Sequence, residues 1–212
     1  IFINKLVKEA SKNKKIILIV GDLGFGIVEQ FKNKFPDRFI NVGVAEQNMA
    51  GLAAGLALKG FHVFIYSIAN FPTFRCAEQI RNDIDYHKLP VTVVSVGSGL
   101  GYGNLGYSHH AIQDFALMRS FPNTLIASPS NNQEVESSLN FLLRNPQPSY
   151  LRLDKVLELN IDKRKVSLSI KLLEELQNKE AVSKFSSPLS GKNLPFSSLS
   201  EKLDDKKKKG EE

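Results

Sequence analysis

The chain has 212 residues and 42% apolar side chains, enough for one or two globular domains with a core of their own. Its net charge of +6 is spread out, with 16 of the 28 basic and 12 of the 22 acidic side chains in residues 1–156. The one dense run, Lys206 to Lys209, is flanked by acids and has no aromatics for base stacking, which argues against nucleic acid. No apolar run approaches the roughly 18 residues of a membrane helix, no signal-type block opens the chain, and the single cysteine, Cys76, excludes an internal disulfide or a thiolate zinc cage; a cytoplasmic protein without membrane contact is expected.

The chain opens on Ile1 rather than Met, as a fragment or trimmed product would. From residue 16 to 153, apolar runs rich in β-branched residues alternate with segments of helical period. The predicted strands are 16–20, 39–42, 62–66, 91–96, 125–127 and 150–153, and the predicted helices 26–35, 45–59, 73–86, 112–120 and 131–144. Nearly continuous apolar strands, such as Val91 to Val96, belong in a sheet covered on both faces, so the expected fold class is α/β, a mainly parallel sheet with helices on both sides. The segment 45–59 carries Ala45, Ala50, Gly51, Ala53, Ala54, Gly55 and Ala57, which predicts a buried helix that another backbone can approach closely, ended by Gly60. Beyond Lys155 only Leu168 to Leu176 suggests a short amphipathic helix. Ser, Lys, Pro and Asn dominate 183–200, so 157–212 reads as a weakly folded tail behind a domain of residues 1–156.

Several patterns could carry chemistry. Gly97 to Gly106 contains a formal G-x-G-x-x-G match, but no acid follows at the distance a dinucleotide site requires, and a close approach of backbone to a ligand or a neighbouring chain is the better reading. Ser108-His109-His110 ends that loop. Adjacent histidines point in different directions and no third ligand stands at helical spacing, so a mononuclear metal site is not expected, and a packing role remains open. Glu46 opens the small-residue helix: it either answers the helix dipole or, if buried, is a proton donor with a raised pKa. Phe71 and Phe74 follow a strand end, where aromatics are either core or a stacking surface for a ligand.

Together Gly21-Asp22, Phe35 to Phe39, Asn41 to Met49, Ala53 to Ala57, Gln79 to Asn82, Ser108-His109, Met118-Arg119 and Pro129 resemble, over residues 16 to 156, the pyrimidine-binding domain of transketolase-like, thiamine diphosphate-dependent enzymes. The resemblance implies that Glu46 hydrogen-bonds the ring nitrogen of the cofactor's aminopyrimidine, that Phe71 and Phe74 pack on that ring, and that His109 faces substrate. Ala77 stands where the better-known transketolases have a tyrosine, Leu105 where they have an acid, and Gly26 where they have a phosphate-binding serine. Asp22 remains a polar candidate near the cofactor, and Arg152 and Lys155 near the substrate.

The family's diphosphate-binding half, with its Gly-Asp-Gly motif and the Asn that follows, is not in this sequence, nor is a C-terminal α/β domain. The resemblance therefore implies the smaller subunit of a split transketolase. The partner subunit would carry the diphosphate-binding domain and most of the ligands of a Mg2+ or Ca2+ ion, and helix 45–59 would mediate self-association. The expected reaction is transfer of a two-carbon ketol unit between sugars, with a sugar phosphate or similar substrate. A 1-deoxyxylulose-5-phosphate synthase-like or 2-oxo acid dehydrogenase-type activity, and a catalytically silent pairing module, are the alternatives.

Overall fold

Strand residues alternate between two apolar layers. In β1 (Ile16–Val20), Ile16, Leu18 and Val20 join one buried cluster, and Ile17 and Ile19 join the other. The computed structural model describes residues 1–68 and 70–154. Lys155, the tail 157–212 and the helix expected at Leu168 to Leu176 lie outside the described residues. β2 (Phe39–Asn41), β3 (His62–Ile68), β4 (Val91–Val96), β5 (Leu125–Ala127) and β6 (Ser149–Leu153) complete one sheet of order β2-β1-β3-β4-β6-β5. Every pair is parallel, with Leu18 opposite Phe39, Val63 opposite Val91 and Val93 opposite Tyr150. All six predicted strands are present, with ends shifted by at most two residues.

Helices cover both faces, as expected for a parallel sheet. α1 (Phe2–Lys12), α2 (Glu29–Lys34) and α7 (Asn132–Arg144) bury Leu6, Phe31 and Leu139 against Leu18, Phe64 and Leu151. On the other side α3 (Glu46–Leu58) and α6 (Asp114–Arg119) bury Met49, Ala53 and Met118 against Ile19, Val63, Val93 and Tyr150. Among the described residues no helix is long and apolar enough to cross a membrane.

Three helical expectations change, and one helix is added. α1 is an additional element, whose apolar positions 2, 3, 6, 7 and 10 mark one face of a helix. The helix expected at 26–35 begins only at Glu29, because Ile27 and Val28 turn back to the Gly24 carbonyl. The helix expected at 73–86 is broken: α4 (Phe71–Phe74) stops before Arg75 and Cys76, and α5 (Ala77–Gln79) continues into a π-helical turn, Ile80–Asp85, where the Tyr86 N–H reaches the Arg81 carbonyl. α3 is not buried all round, because only Glu46, Met49, Ala50, Ala53, Ala54 and Ala57 face the sheet while Gln47, Gly51, Gly55 and Leu58 are exposed. It ends at Gly60, with φ of +86°.

Because all strands are parallel, the segments leaving β1, β2, β3 and β4 emerge at one edge of the sheet. Gly21, Gly43, Asn70 and Gly97 all lie there, just past those strand ends.

Candidate functional site

The turn after β1 is built around Asn41. Its Oδ1 accepts from the backbone N–H of Asp22 and of Gly43, 3.0 Å each, and its Nδ2 donates to Asp22 Oδ1 at 2.9 Å. These bonds hold Asp22 at a φ of 58°, a left-handed conformation that is costly for a residue with a side chain. Asp22 is exposed and committed to Asn41. Its neighbour Gly21 is the residue that lines Glu46: a Cβ at Gly21 would stand 3.7 Å from Glu46 Oε1 and 3.6 Å from the Gly43 carbonyl oxygen.

Glu46 occupies the first turn of α3 and is only 4% exposed. Its surroundings are not purely apolar, because Arg75 Nη1 donates to Glu46 Oε1 at 3.0 Å. The Arg75 guanidinium carbon lies 3.7 Å from the centroid of the Phe71 ring, a cation–π stack. Phe71 in turn meets His109 edge to face, centroids 5.2 Å apart, and Tyr102 lies 6.0 Å beyond. Glu46, Arg75, Phe71, His109 and Tyr102 therefore form one continuous row. A cleft of about 510 Å3 opens beside it, lined by Val44, Ala45, Glu46, Gln47, Asn48 and Arg75.

The glycine loop delivers His109 to this row. Gly99 and Ala111 pair as an antiparallel bridge, folding residues 97–111 back on themselves. Gly97, at φ of +91°, must lack a side chain, since a Cβ there would overlap the Tyr102 ring. Asn70 ties the loop to α4, its Nδ2 donating to the carbonyls of Tyr107 and Ser108 at 3.4 Å and to that of His110. The two histidines do diverge: His109 Nδ1 meets Ser108 Oγ at 3.0 Å, while His110 Nε2 meets the Gly103 carbonyl oxygen at 2.7 Å.

Other candidates fall elsewhere. Phe74 is 47% exposed, so of the two aromatics only Phe71 joins the row. Arg152 is committed to the loop's foundation: Nε is in ion-pair contact with the fully buried Asp114 at 3.1 Å, Nη2 donates to the Ala111 carbonyl at 2.7 Å, and the guanidinium covers Phe115. Tyr150 donates to the same Asp114 carboxylate at 2.6 Å. Burial, reinforced by the charge of Glu46, pushes the Cys76 thiol up to about 12 and makes it a poor nucleophile. A larger, mainly apolar cavity of about 560 Å3 lies on the α1 and α7 side, among Phe2, Ile27, Tyr66, Val135 and Leu153.

Arg75, Asn70 and Tyr102 were not found from sequence. Arg75 stands four residues after Phe71, a spacing that puts both on one side of a helical turn, but its pairing with Glu46 spans 29 positions and leaves no local signal.

The donor set suits a thiamine aminopyrimidine. A buried carboxylate can meet a ring nitrogen, and the flat guanidinium already stacked on Phe71 and bonded to Glu46 shows that a planar nitrogenous group fits between them. Residues 1–158 match the family model described as transketolase, pyrimidine binding domain. The chain is 34% identical over 155 residues to one subunit of an apulose-4-phosphate transketolase of Actinobacillus succinogenes, covering 73% of this chain and 50% of that one. It is likewise 34% identical to a 1-deoxy-D-xylulose-5-phosphate synthase of Halothermothrix orenii, covering 72% of this chain and 24% of the synthase. Among solved structures, a split-gene transketolase described as an inactive β4 tetramer superposes with a TM-score of 0.64 at 35% identity, over 72% of this chain and 49% of that one. The chain thus spans half or less of the length of these relatives. The matched family model and the identities over most of the described fold agree: the chain belongs to the transketolase pyrimidine-binding domain family.

Proposed function

We propose that this chain is the pyrimidine-binding half of a split, thiamine diphosphate-dependent transketolase-like enzyme that moves a two-carbon ketol unit between sugar phosphates in the cytoplasm. The observation that carries this reading is Glu46, a carboxylate 4% exposed and linked through the Arg75 guanidinium to the Phe71 ring. Even paired with Arg75, a buried acid costs more than an apolar residue would in a silent pairing module, which argues against that alternative. When bound, thiamine diphosphate supplies the electron sink for making and breaking bonds next to a carbonyl. Glu46 holds a proton at the aminopyrimidine ring nitrogen, Phe71 gives that ring an apolar face, and His109 meets the substrate. The partner, which carries the Gly-Asp-Gly motif, provides most of the ligands for the diphosphate and its Mg2+ or Ca2+ ion. The exposed outer side of α3, with Gly51 and Gly55, serves self-association. Support comes from the apulose-4-phosphate transketolase relative, itself one subunit of its enzyme, and from the split-gene tetramer, which is inactive as β chains alone. A synthase-type reaction is the second reading, favoured by Leu105 in place of the transketolases' acid and by the identity to the H. orenii synthase.

Calorimetry tests the split site. Thiamine diphosphate with Mg2+ should bind tightly to the assembled enzyme and not to this chain alone; binding at micromolar or better by the isolated chain overturns the reading.

A further inference from the structure

Arg75 holds both contacts that an aminopyrimidine would need. Its Nη1 takes Glu46 Oε1 at 3.0 Å, and its guanidinium lies flat over Phe71 at 3.7 Å, a van der Waals stacking distance. A guanidinium resembles the aminopyrimidine in being planar and presenting N–H donors, but it cannot give up its charge. The exposure of the pair is unequal: 44% for the Arg75 side chain and 3% for Glu46. Arg75 can leave into solvent, whereas Glu46 is fixed by its place in α3 and would be left buried without a partner unless another donor arrives.

We propose that Arg75 is a displaceable counter-ion of Glu46, a gate whose guanidinium must swing off Phe71 for the cofactor's aminopyrimidine to enter. The gate rests on the reading of the site given above. It lowers apparent affinity for the ring by the fraction of molecules in which Arg75 is paired, and it keeps the buried acid compensated at all other times.

The test uses the full chain and a free aminopyrimidine, 4-amino-5-hydroxymethyl-2-methylpyrimidine, titrated by NMR. Arg75→Met, which keeps the stem and removes the charge, should bind this probe roughly tenfold more tightly than wild type, and Arg75→Lys should stay within about twofold of wild type. A double-mutant cycle of unfolding with Glu46→Gln and Arg75→Met reports the pair without any ligand, and should show non-additivity of about fivefold in the unfolding constant. Additive effects overturn the proposal. Equal probe binding by wild type and Arg75→Met, lost in Glu46→Gln, overturns the gate and leaves the cofactor reading standing. No probe binding by either form, with the pair present in the cycle, overturns both.

Discussion

Phe71 and His109 touch edge to face, ring centroids 5.2 Å apart with planes at 62°, although one opens α4 and the other ends the glycine loop. Asn70, the residue before Phe71, holds that contact by donating to three carbonyls around His109. Asn70→Ala removes this donor from the Ser108 and His110 carbonyls, while that of Tyr107 keeps the His110 N–H, and should cost about 1 to 3 kcal/mol of stability. The His109 ring protons, shifted by the Phe71 ring, should move toward their random-coil positions in the NMR spectrum. Unchanged shifts would show that the loop holds His109 without Asn70.

Gly97→Ala should damage the same loop from its other end. The residue sits at φ of +91°, and the new Cβ would come within 2.1 Å of Tyr102 Cε2. Strain of this kind costs about 1 to 3 kcal/mol, and Tyr102 must also move off His109. Denaturant unfolding measures the first effect; a variant as stable as wild type contradicts the packing described.

Arg152 is a foundation residue in this fold. Arg152→Met keeps its bulk over Phe115 but leaves Asp114, 0% exposed, without its cation. Breaking a buried pair from one side costs about 3 to 5 kcal/mol, so the variant should unfold at markedly lower urea. A stability change under about 0.5 kcal/mol would instead release Arg152 for substrate.

His62 makes stability depend on pH. Its ring is buried, stacked on Phe64 at 4.7 Å and bonded to Thr92 Oγ1 at 3.1 Å, and burial lowers its pKa from 6.5 to about 4. The unfolded chain therefore takes up the proton first as pH falls. This contribution is fully present above pH 6.5, declines between 6.5 and about 4, and amounts to about 3 kcal/mol in all. His62→Leu should flatten that part of the profile. Urea melts of both proteins at pH 7, 5.5 and 4.5 check this, and parallel profiles would contradict it.

The strands were legible because their signal is local. In Val91 to Val96 every second side chain meets a different helix layer, so an unbroken apolar run implies two covered faces. Glu46, Phe71 and His109 can be singled out as candidates because each stands at the edge of a glycine-rich turn or a strand end, and the structure brings them into one row with Arg75. Arg75 cannot be, because what matters about it is a partner 29 residues away. The same holds for Arg152: the sequence shows a cation near a strand end but not the buried Asp114 that pairs with it. The outer face of α3 was overestimated as core because Gly and Ala look alike in composition whether they pack on a sheet or face outward.

Everything proposed for this site turns on Glu46 acting on the cofactor. Glu46→Gln keeps the shape and a hydrogen bond but cannot share a proton with the aminopyrimidine nitrogen. Hydrogen–deuterium exchange at C2 of thiamine diphosphate, bound to the chain assembled with its partner, reads that function directly. Exchange should be about 10² to 10⁴ slower with Glu46→Gln than with wild type. Equal exchange rates, with any change confined to the roughly 0.3 to 1 kcal/mol of stability that a helix-dipole residue contributes, would contradict it.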